Sequence, residues 1–169
     1  MRPTDLIDLK PVVLIVDDED DNREILRSML EDDGYPVLLA RDGREVLRKA
    51  HFDVGVVLMD VHMPQLDGVS ACRFLKDDPK TADLPVLFLS ATEDDSIARA
   101  AMESGAYDFL PKPVPLGMLR AKIAAAVRVD RRAEPSQRRW LYLTALKEQY
   151  EVQRREHRSM DEAVASCVL

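Results

Sequence analysis

Val54-Gly-Val-Val-Leu-Met-Asp60-Val-His-Met-Pro-Gln-Leu-Asp-Gly68 is the stretch on which the fold turns. Its first six residues are apolar and rich in β-branched side chains, too short a run for a helix and suited to a strand buried on both faces. Gly55 weakens such a strand slightly, because it adds no side chain to the packing. The run stops at Asp60, which follows Leu58-Met59 directly, so the carboxylate protrudes at the rim while its strand stays inside. From Asp67 to Asp77 the pattern is helical. The unit is therefore a strand, a loop carrying a carboxylate, and a helix.

The same unit repeats on either side. Pro11-Val-Val-Leu-Ile-Val16 reads as a buried strand ending at the acidic run Asp17-Asp-Glu-Asp-Asp21. Ile25, Leu26, Met29 and Leu30 then recur at helical spacing, with Asp20 or Asp21 placed to cap the helix and Gly34 to end it. Val37 to Ala40 reads as a strand and Asp42 to Ala50 as a helix; Val86 to Leu89, Ser96 to Ser104 and Tyr107 to Leu110 continue as strand, helix, strand. Leu116, Leu119, Ile123 and Val127 form a closing helical stripe. Five strands alternating with five helices imply an α/β fold: a parallel, doubly wound, flavodoxin-like sheet in order 2-1-3-4-5 with right-handed crossovers. Residues 11–128 form this domain, 129–135 a linker or helix kink around Pro135, and 136–169 a helical tail.

Composition fits one such core with residues to spare: 169 residues, 46% of them apolar, suffice for a single α/β domain and an appendage. The first ten residues carry Arg2, Asp5, Asp8 and Lys10, unlike a signal peptide. No apolar run approaches the roughly 20 residues that cross a bilayer, so a soluble cytoplasmic protein without membrane contact is expected. Cys72 and Cys167 stand far apart with no metal-ligand spacing, as ordinary thiols do in a reducing compartment. Charge is unevenly spread. Residues 1–116 hold 13 Lys+Arg against 24 Asp+Glu, whereas residues 117–169 hold 11 against 7. Interleaved Glu residues make the basic tail a solvated helical surface and argue against nucleic acid as a partner.

Asp17 and Asp18, Asp60, Ser90 and Lys112 all fall at the C-terminal ends of strands, where open α/β sheets place their ligand sites. Three carboxylates in one crevice repel one another unless a cation sits among them, and hard oxygen donors suit Mg²⁺. Asp20 and Asp21 read instead as a solvated helix N-terminus. A carboxylate oxygen of Asp60 is placed to attack a phosphorus in line, a reaction that needs positioning and charge stabilisation more than acid or base chemistry. Lys112 supplies a positive point charge, and the Ser90 hydroxyl a hydrogen bond.

Asp17-Asp18-Glu19, the block Met59-Asp60-Val61-His62-Met63-Pro64-Gln65-Leu66-Asp67-Gly68, Ser90-Ala91 and Lys112-Pro113, in that order and at those separations, resemble the response-regulator receiver domain of bacterial two-component signalling. The resemblance implies a phosphorylation-activated switch in which Asp60 accepts a phosphoryl group from the phosphohistidine of a cognate histidine kinase. It implies Mg²⁺ held by the side chains of Asp18 and Asp60, by Asp17 through water and by the His62 backbone carbonyl. Ser90, the Ala91 N–H and Lys112 would hold the phosphoryl group, and the Lys112–Pro113 bond would be cis. Phe109 stands at the position of the family's rotating aromatic switch, coupled to Ser90. His62 lies where the family varies the lifetime of the phosphoryl bond. Ser at position 90 replaces the more common Thr and keeps the hydroxyl.

The implied protein is not an enzyme beyond its own phosphotransfer and autodephosphorylation, and its output is contact with a downstream protein or effector domain. A Mg²⁺-dependent aspartyl-phosphate phosphohydrolase is the alternative of a different class; haloacid-dehalogenase-like phosphatases place a second acid two residues after the nucleophile, where this chain has His62. A degenerate receiver acting as a scaffold is the third reading. In the tail, Leu143, Tyr150, His157 and Val164 recur every seven residues, as do Leu146, Gln153, Met160 and Cys167. This marks the tail as a coiled-coil candidate or the start of a truncated effector. Homodimerisation is expected through the tail or through the face of helix four, strand five and helix five.

Overall fold

The computed structural model describes residues 10–127, apart from 52, 53 and 93. The tail expected to be helical, with its seven-residue series, lies outside the described residues. The strands are β1 (Val12–Val16), β2 (Val37–Ala40), β3 (Val54–Asp60), β4 (Val86–Ser90) and β5 (Asp108–Pro111); the helices are α1 (Asp20–Asp32), α2 (Gly43–Lys49), α3 (Gly68–Asp77), α4 (Asp95–Glu103) and α5 (Leu116–Val127). All strand pairs are parallel, and the sheet order is β2-β1-β3-β4-β5. This is the order expected from the sequence.

Every residue of β1 is buried, because side chains of alternating direction meet helices on both faces. Val12, Leu14 and Val16 join Val46 of α2, Ala71 and Leu75 of α3 and Ala101 of α4. Val13 and Ile15 join Leu30 of α1 and Leu119 and Ile123 of α5. Two helices therefore cover one face and three the other. The strands' C-terminal ends are left free of either layer.

Asp42 caps α2 by accepting from the N–H groups of Arg44 and Glu45, both at 2.8 Å. Asp67 caps α3 and Asp94 caps α4 in the same way. The expectation for α1 is corrected: neither Asp20 nor Asp21 caps it. Glu19 is the N-cap residue and makes no side-chain cap, and the two aspartates lie in the first turn. Asp17 explains the shift, since its Oδ1 accepts from the Glu19 N–H at 2.9 Å and turns the chain before Asp20 is reached. The apolar stripe of α1 is also narrower than its periodicity suggests. Leu30 is fully buried, but Ile25 is 54% exposed.

Two glycines are dictated by neighbours. A Cβ on Gly55 would lie 2.4 Å from Pro11 Cβ, at the point where the β1–β3 register slips between Val12 and Val13. A Cβ on Gly68 would lie 2.3 Å from the Asp60 carbonyl oxygen. The β3–α3 loop thus folds back onto the end of β3, with the Gly68 N–H donating to the Val61 carbonyl at 2.9 Å. Between them the Leu66 N–H donates to the Pro64 carbonyl at 2.8 Å around Gln65, whose φ is +67°. That tight three-residue turn is a sparsely populated backbone state.

Candidate functional site

Strand ends bring the acidic and basic residues together. Asp17 directly follows β1 and is 3% exposed, while Asp18 turns outward. Asp60 closes β3 and Ser90 closes β4; Ser90 is fully buried. Lys112 follows β5, and its N–H donates to the Ser90 carbonyl at 2.7 Å, which extends the β4–β5 pairing by one step and fixes where the lysine leaves the sheet. The Lys112–Pro113 peptide is cis, as the resemblance implies.

Lys112 Nζ lies 3.0 Å from Asp17 Oδ2 and 3.4 Å from Asp60 Oδ1, so one ammonium bridges two carboxylates. Burial alone would lower the lysine's pKa, but the hydrogen bond it donates to Asp17 and the charges of Asp60 and Asp17 outweigh it and hold the pKa above its ordinary value. Asp60 moves in the opposite sense to a well-paired carboxylate. Burial raises its pKa, Lys112 opposes the rise, and the charges of Asp17 and Asp18 add to it. The site therefore carries more negative charge than its lysine offsets.

That surplus is the test of whether a divalent cation fits. Among the described residues, no three carboxylate, imidazole or thiol side chains already form a metal cage. Lys112 is inserted between Asp17 and Asp60, and Asp18 faces solvent. Mg²⁺ does not require a closed protein cage, since it keeps several waters and uses one or two carboxylates together with phosphate oxygens. An acidic rim with one carboxylate free of hydrogen bonds among the described residues, Asp18, suits it.

Ser90, Ala91 and His62 stand at the same rim, whereas Phe109 lies within β5, behind it. Ser90 Oγ accepts from the Thr92 N–H at 3.3 Å, and Ala91, exposed, sits between them in the β4–α4 loop. His62 is exposed two residues past Asp60. Phe109 pairs in register with Phe88 and is half-buried against the core face that holds α3 and α4. Two residues were not expected. Asn22 Nδ2 donates to Asp17 Oδ1 at 3.3 Å and Oδ2 at 3.2 Å, and the buried Arg23 guanidinium donates to the Asp17 carbonyl and to Asp20. The signal for Arg23 was its place on the buried stripe: it precedes Leu26 and Leu30 by three and seven residues.

The family model for the response regulator receiver domain matches residues 13–124. The chain belongs to that family. Response regulator MprA of Mycolicibacterium vanbaalenii is 44% identical over 117 residues, which are 69% of this chain and 50% of that protein. The chain thus spans about half the length of this curated relative. The signal receiver domain of a histidine kinase from Syntrophus aciditrophicus superposes with a TM-score of 0.68 at 32% identity, covering 74% of this chain and 96% of that one. A second neighbour, with a TM-score of 0.65 at 28% identity and covering 70% of this chain and 98% of its own, is the receiver domain of a Pseudomonas aeruginosa sensor histidine kinase. That structure has a magnesium ion coordinated in its active site cleft. Receiver domains are phosphorylation-activated switches, and the matched segment contains every residue of the rim.

Proposed function

We propose that Asp60 is the phosphoryl acceptor of this receiver domain, with the phosphohistidine of a cognate histidine kinase as donor. The observation that carries the reading is the pairing of Asp60 with Lys112 at 3.4 Å on the rim of the sheet. In the transfer an Asp60 carboxylate oxygen forms the new P–O bond while the P–N bond to the donor imidazole breaks in line with it. Lys112, shared in the resting state with Asp17, supplies a positive charge that the incoming phosphoryl oxygens can take up. The Ala91 N–H and the Ser90 hydroxyl complete the cradle. Asp18 and Asp60 side chains, the His62 carbonyl and Asp17 through water would hold Mg²⁺. When bound, the ion neutralises charge on the phosphoryl oxygens. The cleft magnesium of the Pseudomonas receiver domain supports this assignment.

Ser90 and Phe109 form the switch. Turning toward the phosphoryl group, Ser90 Oγ gives up its bond from the Thr92 N–H and vacates space beside Phe109, which then rotates inward and alters the α4-β5-α5 face. Met102 and Tyr107 are exposed on that face, which makes it the surface for a downstream protein, an effector domain or a second copy. We assign residues 11–128 to the receiver, 129–135 to a linker and 136–169 to a tail that carries or contacts the output. The chemistry is confined to phosphotransfer and autodephosphorylation on the domain itself. No helix among the described residues is long and apolar enough to cross a membrane, and a kinase donor of this type points to the cytoplasm. Incubation of the chain with an acyl phosphate and Mg²⁺ tests the acceptor: intact mass should rise by one phosphoryl group in the wild type and stay unchanged in Asp60→Ala. Equal labelling of the two would refute it.

A further inference from the structure

Arg23 carries a charge that the fold has buried, at 5% exposure, on the helix stripe that otherwise holds Leu26 and Leu30. Burying a guanidinium is unfavourable unless its partners repay the lost hydration, and an apolar side chain in such a place commonly stabilises as well or better. Its acceptors show what the charge accomplishes. One is the carboxylate of Asp20, whose side chain is mostly exposed. The other is the main-chain carbonyl of Asp17, which belongs to the peptide joining Asp17 to Asp18.

The backbone N–H of Arg23 donates in addition to the Glu19 carbonyl at 3.2 Å. That bond is the first backbone bond of α1, made whatever the side chain at position 23; the guanidinium's own tie is to the carbonyl directly before Asp18. Asp17 is secured by further bonds, through its N–H to Ala40, its carboxylate to the Glu19 N–H and Asn22, and its ion pair with Lys112. The Asp18 carboxylate makes no hydrogen bond among the described residues, so its direction follows from the peptides on either side.

We infer that Arg23 is a positioning residue for the acidic rim: its guanidinium joins the carbonyl before Asp18 to the Asp20 carboxylate after it, and so holds the Asp18 carboxylate where a divalent cation can reach it together with Asp60. The inference rests on the Mg²⁺ reading above. Partners that orient a ligand without touching the metal commonly change affinity 10- to 100-fold when removed. Electrostatics alone makes the opposite prediction, because deleting a nearby positive charge should tighten cation binding.

The test is a calorimetric titration of the full chain with Mg²⁺, without phosphodonor, below the unfolding midpoint of each variant. Arg23→Gln is expected to bind about tenfold more weakly than the wild type. Arg23→Lys, whose ammonium can reach one acceptor, should fall between the two. Leu30→Ala, which loosens the same helix by removing packing alone, should keep wild-type affinity. Unchanged or tighter binding by Arg23→Gln overturns the inference, as does an equal loss in Leu30→Ala. Should Arg23→Gln fail to fold, Arg23→Lys decides: weaker binding supports the role, and wild-type affinity overturns it. Failure of the wild type to bind Mg²⁺ would remove the metal reading itself, whatever the variants do.

Discussion

Lys112 Nζ sits closer to Asp17 than to Asp60, at 3.0 Å against 3.4 Å, although Asp60 is the proposed acceptor. The stronger partner is the more deeply buried carboxylate, whose charge has least access to water. The lysine is therefore stored on Asp17 in the resting domain and shared with Asp60. This arrangement divides its work between holding the fold and serving the chemistry.

Removing the lysine should expose the first of these roles. Lys112→Ala leaves the Asp17 and Asp60 carboxylates facing each other without their cation, a defect that costs about 3 kcal/mol when one partner of a buried pair is lost. Urea denaturation should show this loss, and added Mg²⁺ should stabilise the variant more than the wild type. An equal response of both to Mg²⁺ would mean that the cation and the lysine do not relieve the same repulsion.

The pH dependence follows from Asp60. Its folded pKa is raised, first by burial, so the native state binds its proton more tightly than the unfolded chain does. Ionising Asp60 consequently lowers stability as pH climbs from the ordinary carboxylate range through its raised folded value. Asp60→Asn cannot ionise. Without Mg²⁺, its stability relative to the wild type should increase across that window and level off above it. Chemical denaturation at a series of pH values checks the sign, and a difference that shrinks with rising pH would contradict it.

Gly68 connects loop geometry to the acceptor. In Gly68→Ala the new Cβ must push back the Asp60 carbonyl oxygen, a backbone atom 2.3 Å from its ideal position. Strain of about 1–3 kcal/mol is expected from such overpacking. Because the displaced atom belongs to the acceptor residue, labelling by an acyl phosphate should slow as well. Thermal denaturation and the labelling rate should both fall.

Asp42→Ala supplies the contrast. It removes a cap whose bonds go to two N–H groups at the start of α2, neither of them on a rim residue, and should lower stability by about 1 kcal/mol. The labelling rate of the folded chain should not change. A large loss of labelling here would show that stability, not the geometry of the rim, controls the reaction.

The sheet and its order were legible because β-branched runs such as Val12–Val16 and Val54–Met59 are too short for helices and alternate with clear helical stripes. Asp17, Asp18, Asp60, Ser90 and Lys112 were legible because each ends or directly follows a strand. What escaped depended on side chains reaching across local structure. The Asp17 carboxylate turns onto the Glu19 N–H, which leaves Glu19 at the N-cap position and moves Asp20 and Asp21 into the first turn. Arg23 points inward from a helix stripe, and a charged residue at that position reads as surface until its acceptors are known. Gly55 looked like a weak point in a strand; the proximity of Pro11 from the neighbouring chain segment gives it a reason that no local pattern contains.

The most direct test of the acceptor assignment is chemical identification of the modified atom. The chain is labelled with an acyl phosphate in the presence of Mg²⁺, reduced with borohydride, which converts an aspartyl phosphate to homoserine, and digested for peptide sequencing. The predicted result is homoserine at position 60 and nowhere else in the acidic rim. Homoserine at position 17 or 18, or labelling that resists reduction, would contradict the account.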